Sequence, residues 1–259
     1  MKKIFAAVLI LIVMSLTGCG GLTNSRKLIV GVDDDFPPLA FRDAQGNIIG
    51  FDVDLAKEAA RRMNADIEFK PIEWARKREA ITSGEVDMIW NGLDINDERK
   101  EYMIFTTPYM DDRQVILVRK NFEQTIYSEG DLEDKIIGTQ AGSTSEDYIN
   151  GNPKLEDSLR EHKIYRTFND VLEALKSGEV DVLICDELIA RYEFCKNRGE
   201  IKLIDIKIGS TMETAIGFSK DNVQLRDEVQ KVFDDMVRDG TTKKISEEWF
   251  GADLIKTKI

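Results

Sequence analysis

The sequence predicts an α/β fold of two similar lobes with largely parallel sheets, and three observations carry that expectation. Short strand-like apolar runs alternate with helical patterns along the chain, the arrangement of α/β proteins. Ser83-Gly84-Glu85-Val86-Asp87-Met88-Ile89 returns 94 residues later as Ser177-Gly178-Glu179-Val180-Asp181-Val182-Leu183, each copy following an apolar helix. The 259 residues are 42% apolar, enough for a sizeable core in one or two domains.

At the start of the chain, Lys2 and Lys3 precede an apolar run from Ile4 to Met14 that is too short to span a bilayer comfortably, and Leu16-Thr17-Gly18-Cys19 follows. This reads as an export signal over residues 1–18 ending in a lipobox-like run of small residues, after which Cys19 is acylated. Residues 19–26, with Gly20, Gly21, Thr23, Asn24 and Ser25, form a flexible tether. The expected location is extracytoplasmic and lipid-anchored, in the periplasm or on the outer surface of the cytoplasmic membrane. No later stretch approaches the roughly 20 apolar residues of a bilayer helix.

Leu28 to Val32 then reads as a strand, Leu55, Ala56, Ala59, Ala60 and Met63 as the apolar stripe of a helix, and Ile67 to Phe69 as a second strand. Cys185 closes the apolar run Val182-Leu183-Ile184, and Cys195 falls in a helical segment marked by Leu188, Ile189 and Tyr192. Two to three helical turns separate the two cysteines by roughly 13–15 Å, beyond disulfide reach, so two free and buried thiols are expected. Near the end, Leu225, Val229, Val232, Phe233 and Met236 form an amphipathic helix.

Charge and composition exclude several function classes. Forty-eight acidic residues against 36 basic ones give a net charge of −12, the wrong sign for offsetting nucleic-acid phosphates. His162 is the single histidine, and Cys19, Cys185 and Cys195 match no zinc spacing. Asp33-Asp34-Asp35 lacks the glycine and spaced acids of a calcium loop, and neither later cysteine has a histidine partner for nucleophilic catalysis. The expectation is a protein with no metal, no cofactor and no catalytic residue.

In the repeated segment, glycine ends a helix and a buried strand follows, delivering the next residues to a sheet edge. Those residues are Trp90-Asn91-Gly92-Leu93-Asp94 in the first copy and Cys185-Asp186-Glu187 in the second. Open parallel sheets bind ligands at the carboxyl ends of their strands, so two facing lobes make a cleft lined by these loops. Trp90 fits the cleft and the core equally well.

From Lys27 to Gly251 the chain resembles the polar amino-acid-binding proteins of bacterial ABC importers, the extracellular solute-binding proteins of family 3. The carriers are Val30-Gly31-Val32-Asp33 with Phe36-Pro37-Pro38, Gly50-Phe51-Asp52-Val53-Asp54-Leu55 and the first repeat copy. They continue with Asn91-Gly92-Leu93-Asp94-Ile95-Asn96-Asp97-Glu98-Arg99, Thr107-Pro108-Tyr109, Gly142-Ser143-Thr144-Ser145-Glu146 and Trp249-Phe250-Gly251. Each motif alone is weak; their order and spacing together are specific. The resemblance implies a periplasmic-binding-protein-like fold, two α/β lobes joined by two crossing strands with a ligand cleft between them. Lobe one is expected to be discontinuous, residues 27–117 and 211–259, and lobe two to span 118–210. The crossings are expected near Val115 to Val118 and Met212 to Phe218. Ligand gains contacts to both lobes only when the hinge closes.

The resemblance also implies roles. Arg99 grips the ligand α-carboxylate with a planar fork of donors, unless it is a surface partner of Asp97 or Glu98. Asn91, the backbone after Gly92 and the helix start at Thr144 adjoin that group. Asp186 takes the α-amino group, with a helix N-cap as its alternative. Phe36 and Trp74 sandwich the ligand side chain unless they are plain core; Asp33 and Gln140 face its distal end. Asp94 departs from the family pattern of serine or threonine. An ionised aspartate about 4 Å from the ligand carboxylate costs of the order of 4 kcal/mol at an effective dielectric of 20. Asp94 is therefore expected to orient Arg99 or to meet a cationic part of the ligand, unless the ligand is not a standard α-amino acid.

Asp33, Asp94 and Asp186 outnumber Arg99, which favours a cationic amino acid such as arginine, lysine or ornithine, with glutamine and cystine as alternatives. The expected function is binding of that free amino acid and its delivery to an ABC permease in the membrane by cleft closure, by a monomer that is not an enzyme. Two rival classes share the fold. Membrane sensors continue into a transmembrane helix and signalling domain, and cyclohexadienyl dehydratase-like enzymes need an acid in the cleft, for which Glu187 is the candidate.

Overall fold

The computed structural model describes residues 26–256; the export signal, Cys19 and the tether up to Ser25 lie outside the described residues. Arg26, assigned above to the tether, is already the first residue of a strand and pairs with Ala65.

In chain order the first part contains β1 (Arg26–Val32), a small meander of β2 (Asp35–Phe36), β3 (Ala40–Arg42) and β4 (Ile48–Ile49), then α1 (Phe51–Arg62) and β5 (Ala65–Pro71). Next come α2 (Lys77–Thr82), β6 (Met88–Ile89), α3 (Asp97–Lys100) and β7 (Met103–Phe105). The second part contains β8 (Met110–Arg119), β9 (Ile136–Gln140), α4 (Thr144–Asn150), α5 (Pro153–Ser158), β10 (Glu161–Tyr165) and α6 (Phe168–Ser177). It is completed by β11 (Val182–Asp186), α7 (Glu187–Lys196) and β12 (Ile201–Thr214). The chain then returns with β13 (Gly217–Ser219), α8 (Val223–Arg238) and α9 (Thr241–Phe250). Among the described residues no helix is long and apolar enough to cross a membrane.

Two five-stranded sheets organise these elements, ordered β5-β1-β6-β13-β7 and β10-β9-β11-β8-β12. Helical crossovers make β5, β1 and β6 mutually parallel, and likewise β10, β9 and β11. Each sheet also holds one antiparallel strand, β13 in the first and β8 in the second. Both arrive by an extended connection without a helix, so nothing reverses their direction.

The repeated segment occupies the same place in both sheets. Gly84 and Gly178 take positive φ, 75° and 88°, after helices α2 and α6. The following aspartates hold the strand beside them in the same way. Asp87 exchanges hydrogen bonds with Ile29 on β1, and Asp181 does so with Ile136 on β9, the backbone bond being 2.8 Å in both. The echo is thus two copies of one device that registers a third strand against the first.

The sheets also move one expected boundary. Val115–Val118 lie in the middle of the second sheet, paired with β11 on one side and β12 on the other. Ahead of them, Met110, Asp111 and Asp112 pair with Thr214, Glu213 and Met212 as a two-stranded ribbon. The apolar run misled because a crossing strand and a central strand have the same composition. Cys195 is a second correction: it is exposed, whereas Cys185 is buried, and both are free. On α7 the buried positions are Ile189, Ala190 and Glu193; a residue two places after Glu193 is turned roughly 200° from it.

Trp90 belongs to the core, packed on Tyr109 and Phe233. Nearby, Asp52 is fully buried in the first turn of α1, accepting from Gly92 N–H at 2.7 Å and from the Tyr109 hydroxyl at 2.9 Å. These bonds fix the loop after β6 that reaches the cleft.

Candidate functional site

The strand ends of both sheets converge on one cavity. Its walls include all ten residues singled out from the sequence: Asp33, Phe36, Trp74, Asn91, Gly92, Asp94, Arg99, Gln140, Thr144 and Asp186. Asp33 follows β1, Asn91 to Asp94 follow β6, Gln140 ends β9 and Asp186 ends β11, which is the strand-end placement the repeat implied. The space within it is small, about 20 Å³.

Direct bonds cross between the sheets' loops. Gln140 donates to Asp33 at 2.5 Å, Lys77 donates to the Gly142 carbonyl at 2.6 Å, and Asn169 N–H donates to Asp35 at 3.0 Å. Phe36 meets Phe168 edge to face at 5.7 Å.

Among the lining residues, Arg99 is 1% exposed and belongs to α3, whose N-cap Asn96 accepts from the Arg99 N–H. The guanidinium forms no ion pair with Asp97 or Glu98. Lys100 pairs with Asp97, and Arg78 with Glu98. Arg99 instead donates Nη1 to the Asp94 carbonyl at 2.8 Å and Nη2 to the Gly142 carbonyl at 3.2 Å, and its Nε has no partner. Asn91 accepts from the Asp33 N–H through Oδ1 while its Nδ2 is also without a partner. Two buried donors on residues that line the cavity thus have nothing to bond, an arrangement that costs free energy until an acceptor arrives. The Gly92 N–H itself is engaged by Asp52.

The cavity also has acidic walls, Asp94 and Asp186. Asp94 accepts from the Thr214 hydroxyl at 3.0 Å and the Thr144 hydroxyl at 3.3 Å. Asp186 makes no N-cap bond to α7; it accepts from Gln114 Nε2 at 2.6 Å. The same amide nitrogen reaches Asp112 at 3.0 Å. The Ser145 hydroxyl donates to the other end of the Gln114 amide, which fixes its orientation. Asp94, Asp112 and Asp186 each bring one carboxylate oxygen within 4.8 Å of the others. This is the group among the described residues that could approach a cation, and the Gln114 amide already donates to two of its members as an ammonium would.

Burial raises every acid of the site. Asp33 is pushed up to about 6, opposed by the Gln140 hydrogen bond. Asp186 rises to about 7, through burial and then the Asp94 charge, opposed by Gln114. Asp94 is raised by burial against the pull of Arg99. Counting each acid as a full charge therefore overstates the negative charge of the cleft.

Sequence reasoning missed Asp112, Gln114, Phe168 and Lys77. Asp112 and Gln114 did leave a signal: two polar residues at period two just ahead of the apolar run from Val115, on one face of β8. Lys77 left none, since a lysine between Arg76 and Arg78 reads as solvated. It is 5% exposed and lies 5.3 Å from the centre of the Trp74 ring.

Residues 28–252 match the family described as bacterial extracellular solute-binding proteins, family 3. The L-cystine-binding protein TcyJ of Escherichia coli (strain K12) is 30% identical over 243 residues, 91% of this chain and 88% of that protein. The arginine-binding extracellular protein ArtP of Bacillus subtilis (strain 168) is 28% identical over 246 residues, covering 92% and 94%. Among solved structures, an ABC uptake transporter substrate-binding protein from Streptococcus pneumoniae with bound histidine superimposes with a TM-score of 0.83 at 30% identity, covering 89% of this chain and 94% of that one.

Proposed function

The chain belongs to the bacterial extracellular solute-binding proteins of family 3, and from that premise we propose that it binds a free polar amino acid in the cleft and delivers it to an ABC permease. The observation that carries this reading is the set of groups that line one cavity: Arg99 and Asn91, whose buried Nε and Nδ2 have no partner, together with the acids Asp94 and Asp186. Such a site is complementary to a zwitterion, with paired charge-assisted bonds to the α-carboxylate and carboxylates for the α-ammonium. Phe36, Trp74 and Phe168 wall the remainder, and Asp33 with Gln140 faces the far end of the side chain.

The ligand is cationic, with arginine first. In support, ArtP is named for arginine, and the Trp74 and Phe36 faces suit a guanidinium by about 0.5–2 kcal/mol of cation–π attraction. Cystine is the second reading, favoured by the similarity to TcyJ, and histidine and glutamine complete the set. Lobe one comprises residues 26–109 and 215–256 and lobe two residues 110–214; they rotate about the ribbon of β8 and β12, and the permease reads the closed form. The protein binds and does not convert. Glu187, the acid an enzyme would need, lies outside the cavity walls and forms a two-point ion pair with Arg113, whose guanidinium lowers its carboxyl below the usual range.

A thermal-shift series of residues 26–259 against all amino acids and simple diamines tests the reading, because a ligand bound only to the folded chain raises its melting point. One or a few strong hits among polar amino acids are expected; no hit at all sinks it. Lipidation at Cys19 is tested by palmitate labelling of the full chain and its loss in Cys19→Ala, and the monomer by light scattering.

A further inference from the structure

A second cavity shares no wall residue with the first and holds about 630 Å³ of space, within the roughly 300–1,000 Å³ of small-molecule sites. Helix α9 contributes Trp249 and Phe250 to its walls, β8 contributes Met110, and α7 contributes Leu188, Tyr192 and Cys195. Spacings of four and three put the three α7 residues on one helix face. Phe41 packs against both neighbouring rings, 6.0 Å from Tyr192 and 6.1 Å from Trp249. The Trp249 indole N–H is bonded to Asp54 at 2.9 Å, so its ring is left for apolar contact.

The charged walls of this cavity are paired, with one exception. Arg191 is held by Glu187 at 2.7 Å and Asp205 at 2.8 Å, and Lys256 by Asp111 at 2.6 Å and Glu213 at 2.7 Å. Asp112 also lines the cavity, is 8% exposed and forms no ion pair among the described residues. The neutral Gln114 amide donates to it at 3.0 Å. Asp94 and Asp186 each bring a carboxylate oxygen within 4.8 Å of it, which adds to its charge and offsets none of it. A buried carboxylate calls for a cation, and both cations in the walls of this cavity are already taken.

We propose that this second cavity binds an organic cation, an amine on an aromatic or branched apolar body that carries no carboxylate. The ammonium meets Asp112, and the body lies against Trp249, Tyr192 and Leu188, whose rings also attract a positive charge. A carboxylate on the ligand would find Arg191 and Lys256 engaged by two acids each and would stay unpaired, so a free amino acid is disfavoured here. Two cavities of different chemistry thus stand in one chain. The second site stands independently of the amino-acid reading of the first.

Cys195 is a free, exposed thiol in the wall of this cavity, whereas Cys185 lines the first and is buried, so covering of the second cavity can be read at one sulfur. The test follows alkylation of Cys195 by iodoacetamide on the full chain, with peptide mapping to separate it from Cys19 and Cys185. Phenethylamine, phenethyl alcohol and hydrocinnamate are compared in excess L-arginine, which keeps an amine that merely competes for the first cavity from being read. The amine should protect Cys195 saturably and at a concentration at least about tenfold lower than the alcohol, the low end of a charge-assisted bond, and hydrocinnamate should not protect. Asp112→Asn should erase the preference for amine over alcohol, and Tyr192→Ser should weaken protection by both. No protection by the amine, equal protection by amine and alcohol, or a preference that persists in Asp112→Asn overturns the proposal. Should Asp112→Asn fail to fold, protection undiminished in Tyr192→Ser, a change at a half-buried position on the rim, overturns it as well.

Discussion

Lys77 and Gly142 meet across the cleft: the Lys77 amine donates to the Gly142 carbonyl at 2.6 Å, and the same carbonyl accepts Arg99 Nη2 at 3.2 Å. One backbone oxygen is thus held both by Lys77, which packs on Trp74, and by Arg99, the residue proposed to take the ligand carboxylate. In the proposed function, closure and ligand grip share this point.

Gly142→Ala is therefore expected to oppose closure without unfolding either lobe. Gly142 sits at φ +73°, and a Cβ there would lie 2.8 Å from the Ala75 Cα and 2.9 Å from Lys77 Nζ. The left-handed conformation costs an alanine roughly 1–2 kcal/mol in either state, while the backbone clash exists only when the cleft is shut. Small-angle scattering with saturating ligand should report a more open particle and calorimetry a weaker affinity. Unchanged closure and affinity would show that the loop yields at no cost.

Lys77→Met tests the same contact through pH. Burial, and then the Arg99 guanidinium, lower the Lys77 amine from 10.5 to about 7 in the closed form. The open form binds the proton more tightly, so the contribution of Lys77 to closure is least favourable below about pH 7 and improves as the pH rises toward 10.5. Relative to wild type, the methionine variant should lose that rise in affinity between pH 7 and 10. An identical pH profile in both proteins would show that the amine keeps its charge on closure.

Why the cavity was legible while its supports were not follows from how each residue is placed. Asp33, Asn91, Gln140 and Asp186 stand at strand ends, and strand ends are marked by the change from apolar runs to glycine and polar residues. Lys77 and Cys195 stand on helices, where exposure depends on the phase of the helix against partners far away in sequence. Val115 to Val118 read as a crossing although they lie inside a sheet, because apolar composition does not distinguish a strand between sheets from one inside a sheet. Asp112 and Gln114 alternate along β8 in plain view, yet their meaning depends on Asp186, more than seventy residues later. Sequence pattern reveals local form well, and contacts between distant elements only where a repeat or a motif carries them.

Arg99→Ala is expected to abolish amino-acid binding and leave the fold intact. Arg99 is the cation that lines the cavity, and removing one partner of a buried, hydrogen-bonded charge pair costs about 2–5 kcal/mol or more. Circular dichroism checks the fold and calorimetry the affinity; a change below about threefold, well under 1.4 kcal/mol, would contradict the carboxylate role.

Asp94→Thr addresses the position where the sequence departs from its family. The Arg99 fork bonds the Asp94 backbone carbonyl, while the Asp94 carboxylate is held by the hydroxyls of Thr214 and Thr144 and raised by burial. Its charge, when present, lies beside Asp186, the acid proposed to take the ligand ammonium. A threonine there could still bond Thr214 and would remove a buried acid, so the empty protein should melt higher. It would also remove one negative charge facing the ligand. Arginine should then weaken relative to glutamine by roughly 1–3 kcal/mol if the lost contact is charge-assisted, since specificity is a difference of affinities. Paired titrations of wild type and variant with both ligands at one salt concentration measure it. Equal tightening of both would mean that Asp94 merely repels the ligand carboxylate, and the preference for a cationic ligand would lose its main physical support.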